Sequence, residues 1–303
     1  MKSGYLYIFR CAGFLISFLL INVVQLNASN DSLWIANMER IGDSLHHEKK
    51  YNDASLAYEK AIYFNSNPVT KAKLALKRAQ SLKQINSFDI AEQTLSRVDL
   101  NWLPDSLVYE VKYNAALCSY LGSNFALAES HLIQLIYFGK DSVQKPNCYP
   151  LYTLILNELG KYEQAKNYLD KYIQQLYAIT DTNRIKFLAE ANTLYSKQNQ
   201  PKLKRMKKAK TMSAIIPGLG QMYAGYWGEG ITAMTCNALF IGLTGVGIYT
   251  KYYVTSALYS YSIFAKFYSG NISRVEFLVN KKNYQMLKNH NANLKQKIIA
   301  YWK

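Results

Sequence analysis

The stretch from Ser213 to Ile231, SAIIPGLGQMYAGYWGEGI, carries five glycines, the residue type that lets a backbone close around a phosphate. A dinucleotide-binding loop needs the spacing G-x-G-x-x-G between a strand and a helix, and a P-loop ends in G-K followed by Ser or Thr. Gly218, Gly220 and Gly225 satisfy neither pattern, and a basic segment rather than a strand precedes them. These glycines therefore do not predict a phosphate site.

The other residues that could do chemistry do not form a catalytic constellation. His46, His47 and Glu48 are adjacent, so their side chains would point about 100° apart on a helix and could not face one metal ion. The sequence also lacks the H-E-x-x-H zinc pattern. The sequence has no G-x-S-x-G, no C-x-x-C and no paired-carboxylate motif. We therefore predict that the protein is not an enzyme, with no catalytic residue, no metal, no cofactor and no small-molecule substrate.

The positive charge is concentrated in the C-terminal third of the chain. The net charge is +16, and residues 201–303 hold fifteen Lys or Arg against two acids, Glu229 and Glu276. The same third is the most apolar and aromatic part of the sequence. This combination favours a membrane surface with anionic lipids over a nucleic-acid groove. A soluble nucleic-acid-binding protein that uses the basic tail remains an alternative.

The first 28 residues resemble a secretory signal peptide. Lys2 and Arg10 form a positive region, residues 11–26 are apolar, and Leu26-Asn27-Ala28 is an acceptable cleavage site. An uncleaved anchor is the alternative. Export leaves three cysteines: Cys118, Cys148 and Cys236. We predict that all three are small apolar core residues.

Residues 29–200 contain a pattern that returns every 37 residues. Its fixed point is a small residue: Ala54, Ala91, Ala128 and Ala165. An aromatic residue stands three positions before each: Tyr51, Phe88, Phe125 and Tyr162. A large apolar residue follows four positions later, and a small or short residue precedes by twelve. The spacing predicts units of two helices joined by a polar turn, which bury their apolar faces by stacking.

These residues resemble the tetratricopeptide repeat family over about residues 33–177, and the segment YNDASLAYEKAI matches best, although the family's usual period is 34 residues. The resemblance implies an α-solenoid whose first helices line a groove for a protein or peptide. The matching groove positions are Arg40, Asp43, Lys73, Lys77, Gln80, Tyr113, Asn114, Tyr120 and Asn157. An acidic or C-terminal segment would suit them, and an ordinary solvated helix face is the alternative.

The region after the repeats predicts a membrane module. A polybasic juxtamembrane segment, 201–210, supplies six candidate lipid-contacting cations: Lys202, Lys204, Arg205, Lys207, Lys208 and Lys210. A membrane-associated helical module follows at 211–270, and its best span runs from Gly230 to Tyr249. A basic tail helix is predicted at 271–303. Asn237 lies within the span, where it needs a partner such as Gln221 or a serine.

The glycine stretch resembles the P-G-x-G-Q-x-Y signature of a bacterial membrane-associated family of unknown function, over about residues 207–285. The matching residues are Pro217, Gly218, Gly220, Gln221, Tyr223, Gly225 and Gly230. The resemblance implies a membrane module without a defined activity. In a membrane hairpin, Pro217 and Gly218 would end the first apolar helix, and Gly220 and Gly225 would permit a tight reversal.

Together these features predict an all-α protein: a tetratricopeptide-like α-solenoid of about four helix pairs, followed by a small helical membrane-associated module. We expect a non-enzymatic adaptor, exported to the bacterial cell envelope with its repeats on the periplasmic side, that binds a protein or peptide partner and membrane lipids. A membrane-protein assembly factor that acts through the C-terminal module is the main alternative. No nucleic-acid partner is expected.

Overall fold

The computed structural model describes residues 33–138, 145–176, 181–256, 258 and 262–300. The predicted signal peptide lies outside these ranges. The described residues form helices and connecting turns, without a strand, so the chain is all-α as the sequence predicted. They divide into two units, the first reaching Leu188 and the second beginning at Ala189. The predicted boundary between repeats and polybasic segment was residue 200.

The first unit is a succession of short antiparallel helices. Their bounds are α1 (33–47), α2 (Tyr51–Phe64), α3 (Pro68–Gln84), α4 (Phe88–Ser96), α5 (Asp105–Leu121), α6 (Phe125–Ile133), α7 (Tyr149–Glu158) and α8 (Tyr162–Leu176). A π-helical turn, Gln134–Phe138, extends α6, and a 3₁₀ turn, Lys145–Cys148, precedes α7. The next helix, α9 (Thr182–Leu194), contains the boundary between the two units.

The turn inside each helix pair has the same backbone geometry. At each turn one residue adopts a left-handed conformation: Lys49, Asn86, Ser123 and Gly160, with φ of 61°, 57°, 63° and 72°. The residue after it donates its N–H to a carbonyl five positions earlier, as Lys50 does to Leu45 at 2.9 Å and Lys161 to Leu156 at 2.8 Å. This bond closes the helix end. The 37-residue period of the sequence is therefore also a period of the backbone.

The small and large positions of the pattern form the contact between paired helices. The four alanines at its fixed point are completely buried, and the large residues after them, Tyr58, Leu95, Leu132 and Leu169, are at most 2% exposed. A side chain at Gly42 would meet the Tyr58 ring at 2.6–2.9 Å. Glycine is therefore needed where the large residue is tyrosine rather than leucine.

Neighbouring pairs also stack on one another. Each helix from α2 to α6 packs on the next along the chain, and α3 additionally packs on α5, the first helix of the following pair. Helix α7 is enclosed most completely, because every residue from Pro150 to Asn157 is buried. Cys118 and Cys148 are fully buried free thiols, as expected for apolar core residues, but the same expectation is wrong for Cys236, which is only partly buried.

The second unit contains four packed helices and a short helical turn. They are α10 (Met206–Ile215), α11 (Leu219–Tyr223), α12 (Trp227–Tyr249), the turn α13 (Tyr253–Thr255) and α14 (Ser262–Ala300). Helices α10, α11 and α12 all contact α14. Their core consists of Ala209, Ala224, Val275, Leu278 and Val279. The predicted start of a separate tail helix at residue 271 falls inside α14, which continues through it.

Two glycines of the opening stretch allow these helices to touch. Gly218 has φ of 103°, and a Cβ there would overlap the carbonyl oxygen of Gly230 on α12. A Cβ on Gly220 would overlap the carbonyl oxygen of Ala209 on α10. The five-residue helix α11 is thus wedged between two others, and only glycine permits this approach.

A further reversal follows the apolar helix α12. Lys251 is left-handed with φ of 66°, and the N–H of Tyr252 donates to the carbonyl of Gly247 at 2.9 Å. Gly247 lies directly against Ser256 of the returning chain. The predicted reversal near Gly220 and Gly225 joins α10, α11 and α12. The apolar helix α12 instead turns back on the chain that follows it at this second turn.

Candidate functional site

In the first unit, polar side chains of α1, α2 and α3 meet on one face. The Lys77 ammonium donates to the Glu39 carboxylate at 2.7 Å and to both oxygens of Asp43 at 2.8 and 2.9 Å. The Tyr58 hydroxyl also donates to Asp43, at 2.7 Å. Burial opposes ionisation of Asp43, but the bonds from Lys77 and Tyr58 prevail and hold its pKa below the ordinary value. Asp43 and Lys77 are therefore both charged near neutral pH.

A concavity of about 490 Å³ adjoins this cluster. Asp43, Lys77 and Gln80 line it together with His46 and His47. His46 shares a 2.8 Å hydrogen bond between its Nδ1 and the Ser81 hydroxyl. The concavity thus presents an acid, an amine, an amide and imidazoles, groups that hydrogen-bond to peptide backbone and polar side chains.

The other predicted groove residues differ in their access to solvent. Arg40 and Lys73 are exposed, and Tyr113 is partly exposed and stacks on Tyr109 with ring centroids 5.7 Å apart. Asn114 links neighbouring pairs, because it accepts a 3.0 Å hydrogen bond from Lys83 on α3.

Tyr120 and Asn157 lie below the surface, at 8% and 2% exposure. Tyr120 packs on Phe125 of α6, and burial raises the pKa of Tyr120 to about 12. Asn157 belongs to the enclosed helix α7. A partner docking on this face would contact the more exposed predicted residues rather than Tyr120 and Asn157.

A buried polar pair connects the second helices of two neighbouring pairs, and sequence reasoning missed it. Nε2 of His131 on α6 lies 3.0 Å from the Glu92 carboxylate on α4, and Ser96 also donates to that carboxylate. Burial lowers the pKa of His131, although Glu92 partly opposes this shift. Glu92 follows the repeat residue Ala91 directly, and His131 lies three positions after Ala128. Their closeness to a buried repeat alanine is the sequence signal that could have predicted their burial.

In the second unit, an open groove of about 650 Å³ runs between α12 and α14. Gln221, Asn237 and Asn271 line it among small residues such as Ala233 and Gly270. All three amide side chains are at least 93% buried. The unit therefore has polar groups at its centre.

These buried polar groups form a chain of hydrogen bonds across α10, α11 and α14. The Ser213 hydroxyl accepts from the N–H of Gly220 and donates to Gln221, both at 2.9 Å, and Gln221 donates to Asn271. The predicted bond from Asn237 to Gln221 is not formed, since the Asn237 amide donates to the carbonyl of Ala233 on its own helix at 2.7 Å. Among the described residues, Asn237 Oδ1 and Asn271 Nδ2 have no partner.

Lysines surround the turn between α11 and α12. Lys204 and Lys208 lie over the Tyr223 ring, at 4.9 and 5.3 Å, and Lys281 lies over Tyr226 at 5.8 Å. The side chain of Lys282 is 3.7 Å from the position that a Cβ on Gly225 would take. We call Lys204, Lys208, Lys281 and Lys282 the lysine collar.

The acids of this region have other partners. Glu229 receives a two-point ion pair from Arg274 at 2.8 and 2.9 Å, and Glu276 pairs with Lys210 at 2.7 Å. These are the two acids of residues 201–303. The remaining predicted lipid-contacting cations, Lys202, Arg205 and Lys207, are exposed.

Helix α12 leaves most of its apolar surface uncovered. It is the helix within the described ranges that is long and apolar enough to cross a membrane, and 6% of its most apolar stretch is buried. Five leucine, isoleucine or valine side chains in its second half are more than half exposed: Leu239, Ile241, Leu243, Val246 and Ile248. In the part of the chain that the structure describes, no group of His, Cys, Asp or Glu has the arrangement of a metal site.

No protein-family model matches this chain, and no curated protein matches it. The candidate functional surfaces of the described residues are the polar face of α1 and α3, and the lysine collar together with the apolar helix α12.

Proposed function

We propose that this protein is a non-enzymatic, membrane-associated adaptor, exported to the bacterial envelope, that binds a protein or peptide through tetratricopeptide-like repeats. The observation that carries the proposal is the shared geometry of the four helix pairs, whose turns repeat at 37 residues. Stacked pairs of this kind form extended concave surfaces suited to polypeptides. The exposed apolar helix α12 supports attachment to a membrane.

The polar face of α1 and α3 is the proposed recruiting surface. Lys77 is already neutralised by Glu39 and Asp43, and the exposed cations are Arg40 on α1, Lys73 on α3 and Lys49 at the concavity. A partner segment with acidic side chains or a terminal carboxylate would complement them. The fixed ion pairs would hold the surface in shape before the partner arrives.

Site-specific photocrosslinking tests the recruiting surface. A photoreactive residue at Gln80 of the full-length chain should capture a partner, and Lys73→Glu in the same chain should abolish that capture. A photoreactive residue at Lys60, which is exposed on the second helix α2, is the matched control. Equal capture at both positions, or capture that ignores the charge reversal, would show that this face does not recruit.

A membrane-protein assembly factor is the second candidate, and one observation favours it. The groove between α12 and α14 holds two buried amide atoms without partners, Asn237 Oδ1 and Asn271 Nδ2, within the described part of the chain. A polar side chain of another membrane helix would satisfy them. Crosslinks from Cys236 in that groove, without any from Gln80, would favour assembly over recruitment.

A further inference from the structure

The apolar arm α12 and the chain that returns from it form a helical hairpin with a defined base and tip. The tip is the turn at Thr250–Tyr252, and Gly247 on one arm touches Ser256 on the other. Further from the tip, the rings of Phe240 and Phe267 lie 5.0 Å apart. The base is the lysine collar around Tyr223 and Tyr226.

We propose that this hairpin crosses a bilayer completely, with anionic phospholipid headgroups at the lysine collar and the tip on the opposite side. The inference rests on the proposed membrane attachment and adds its geometry and its lipid class. It places the collar and the C-terminal half of α14 on one side of the membrane, and Lys251 on the other.

The length of α12 matches a bilayer. Its 23 residues span about 34 Å at 1.5 Å per residue, against a hydrocarbon core of about 30 Å. A helix lying in the interface would instead need one polar face along its length. The second half of α12 has no such face.

The exposed side chains of α12 point to opposite directions around the helix. At 100° per residue, Leu239, Leu243 and Val246 lie on one side, whereas Ile241 and Ile248 lie on nearly the opposite side. The returning arm occupies a position between them, marked by Phe267. A single protein partner would cover one of these faces, but acyl chains surround a hairpin and cover both.

Aromatic residues flank both ends of the apolar arm. Tyr226 and Trp227 stand at the base, and Tyr249, Tyr252 and Tyr253 stand at the tip with 58–89% of each side chain exposed. Tyrosine and tryptophan favour the two membrane–water interfaces. Two aromatic levels separated by one bilayer thickness are expected of a spanning hairpin.

The lysine collar supplies the charge complementarity to anionic lipid. Among the described residues, both acids of residues 201–303 pair with Arg274 and Lys210, so neither forms an ion pair with a collar lysine. They lie at the base, where Tyr223 and Tyr226 meet the start of the apolar arm. A phosphate headgroup at this level would be bound while its acyl chains follow α12.

The crossing is tested with single cysteines at the two ends of the hairpin. Lys251→Cys and Lys288→Cys are each introduced into the full-length chain with Cys236→Ala, keeping the fully buried Cys118 and Cys148. A membrane-impermeant maleimide is applied to intact cells and again after permeabilisation, and the Cys236→Ala chain gives the background. We expect one of the two positions to react in intact cells and the other to react only after permeabilisation.

Labelling of both positions from the same side, with the chain still in the membrane fraction, would overturn the crossing and leave membrane attachment standing. A chain found in the soluble fraction would overturn both. Capture at Gln80 is scored in the same cells, so loss of recruitment is recognised separately from loss of the crossing.

The lipid class is tested by flotation of the purified full-length chain with vesicles. Replacing all four collar lysines by glutamine should weaken binding to phosphatidylcholine vesicles containing phosphatidylglycerol by at least about tenfold, and should barely change binding to phosphatidylcholine alone. The matched control replaces four exposed or partly exposed lysines of the first unit: Lys60, Lys71, Lys171 and Lys186. An equal loss in both variants would overturn the role of the collar.

Discussion

Helices α7 and α12 are both strongly apolar, yet the first unit buries α7 whereas the second leaves most of α12 exposed. In α7 every residue from Pro150 to Asn157 is buried by neighbouring helices. In α12, which is more than twice as long, Gly230 and Asn237 are the buried residues. The core of the first unit consists mainly of alanine and leucine, although it also encloses the polar pair Glu92 and His131. In the second, Gln221, Asn237 and Asn271 lie inside beside apolar residues of α14, whereas the leucine, isoleucine and valine side chains of α12 face outward.

This contrast supports the proposal that the two units have different surroundings, water for the first and lipid for the second. In water, apolar side chains drive the packing of helices, as they do between α2 and α6. In lipid that driving force is absent, and helices associate through close contact at small residues and through polar bonds. Gly218, Gly220 and the bond from Gln221 to Asn271 are devices of the second kind.

Truncating a leucine in each unit should produce the largest difference. Leu156→Ala should lower the free energy of unfolding of the first unit by about 3 kcal/mol, because the side chain is fully buried and its loss leaves a cavity. Leu243→Ala should change the unfolding of the second unit in detergent by less than about 0.5 kcal/mol, since 58% of that side chain is exposed. Thermal unfolding with limited proteolysis of each unit measures both. Comparable losses would remove the contrast between the units.

Adding a side chain at Gly218 should destabilise the second unit almost as much as Leu156→Ala destabilises the first. Gly218→Val places a branched side chain against the Gly230 carbonyl at a positive φ, so we expect a loss of about 3 kcal/mol. Gly228→Val is the control, because nothing lies within 4 Å of a Cβ there. Resistance of the second unit to trypsin in detergent is the measurement. A Gly218 variant as resistant as the Gly228 variant would contradict the close helix contact.

An exchange inside the first helix pair should sharpen the account of its packing. Gly42→Ala should destabilise the first unit by about 2 kcal/mol, because the added methyl group meets the Tyr58 ring. Adding Tyr58→Leu recreates the alanine–leucine pair of the second and third helix pairs and should restore most of that loss. Denaturant midpoints of the single and double variants decide it. Additive losses would mean that the two positions are not a packing pair.

Acidification should weaken the first unit through His131, with the smallest of these effects. Burial lowers the pKa of His131, and Lys112 adds to this while Glu92 opposes it. The unfolded chain therefore binds the proton more readily, so this contribution is complete above the ordinary histidine pKa of about 6.5 and is lost as the pH falls below it.

A single substitution isolates this effect from other titrations. Compared with the parent chain, His131→Gln should reduce the fall in melting temperature of the first unit between about pH 7 and about pH 5. Identical slopes for the parent and His131→Gln would contradict the assignment.

The helix pairs were predictable because a small residue and a large residue recur at fixed positions every 37 residues. Ala54 and its equivalents, with a large residue four positions later, specify which faces meet, and the structure buries all of them. The turn positions were harder to read, because lysine, asparagine and serine occupy three of the four left-handed sites. Residue type alone does not distinguish these from ordinary polar turns.

The second unit was less predictable, since its contacts join residues far apart in sequence. The span near Gly230 to Tyr249 was found from its composition, and α12 is Trp227–Tyr249. The partner of Gln221, Asn271, is 50 residues away, and the sequence suggested Asn237 instead. The signature glycines were expected to bend the chain, and the left-handed Gly218 and Gly225 do lie at turns. Gly218 and Gly220 also allow close contact between helices, which was not expected. The spacing of residues reveals local turns. It does not reveal which backbone carbonyl of another helix will lie against a glycine.

Helix α14 has a mechanical consequence. Its 39 residues extend for about 58 Å without a proline, and the sequence gives it one glycine, Gly270. A continuous helix is stiff over this distance. Its buried residues form two groups, with Val275 and Leu278 near the middle and Leu294 and Ile298 near the C-terminal end. A displacement at one packed group would therefore be transmitted to the other, with no hinge in between to absorb the motion.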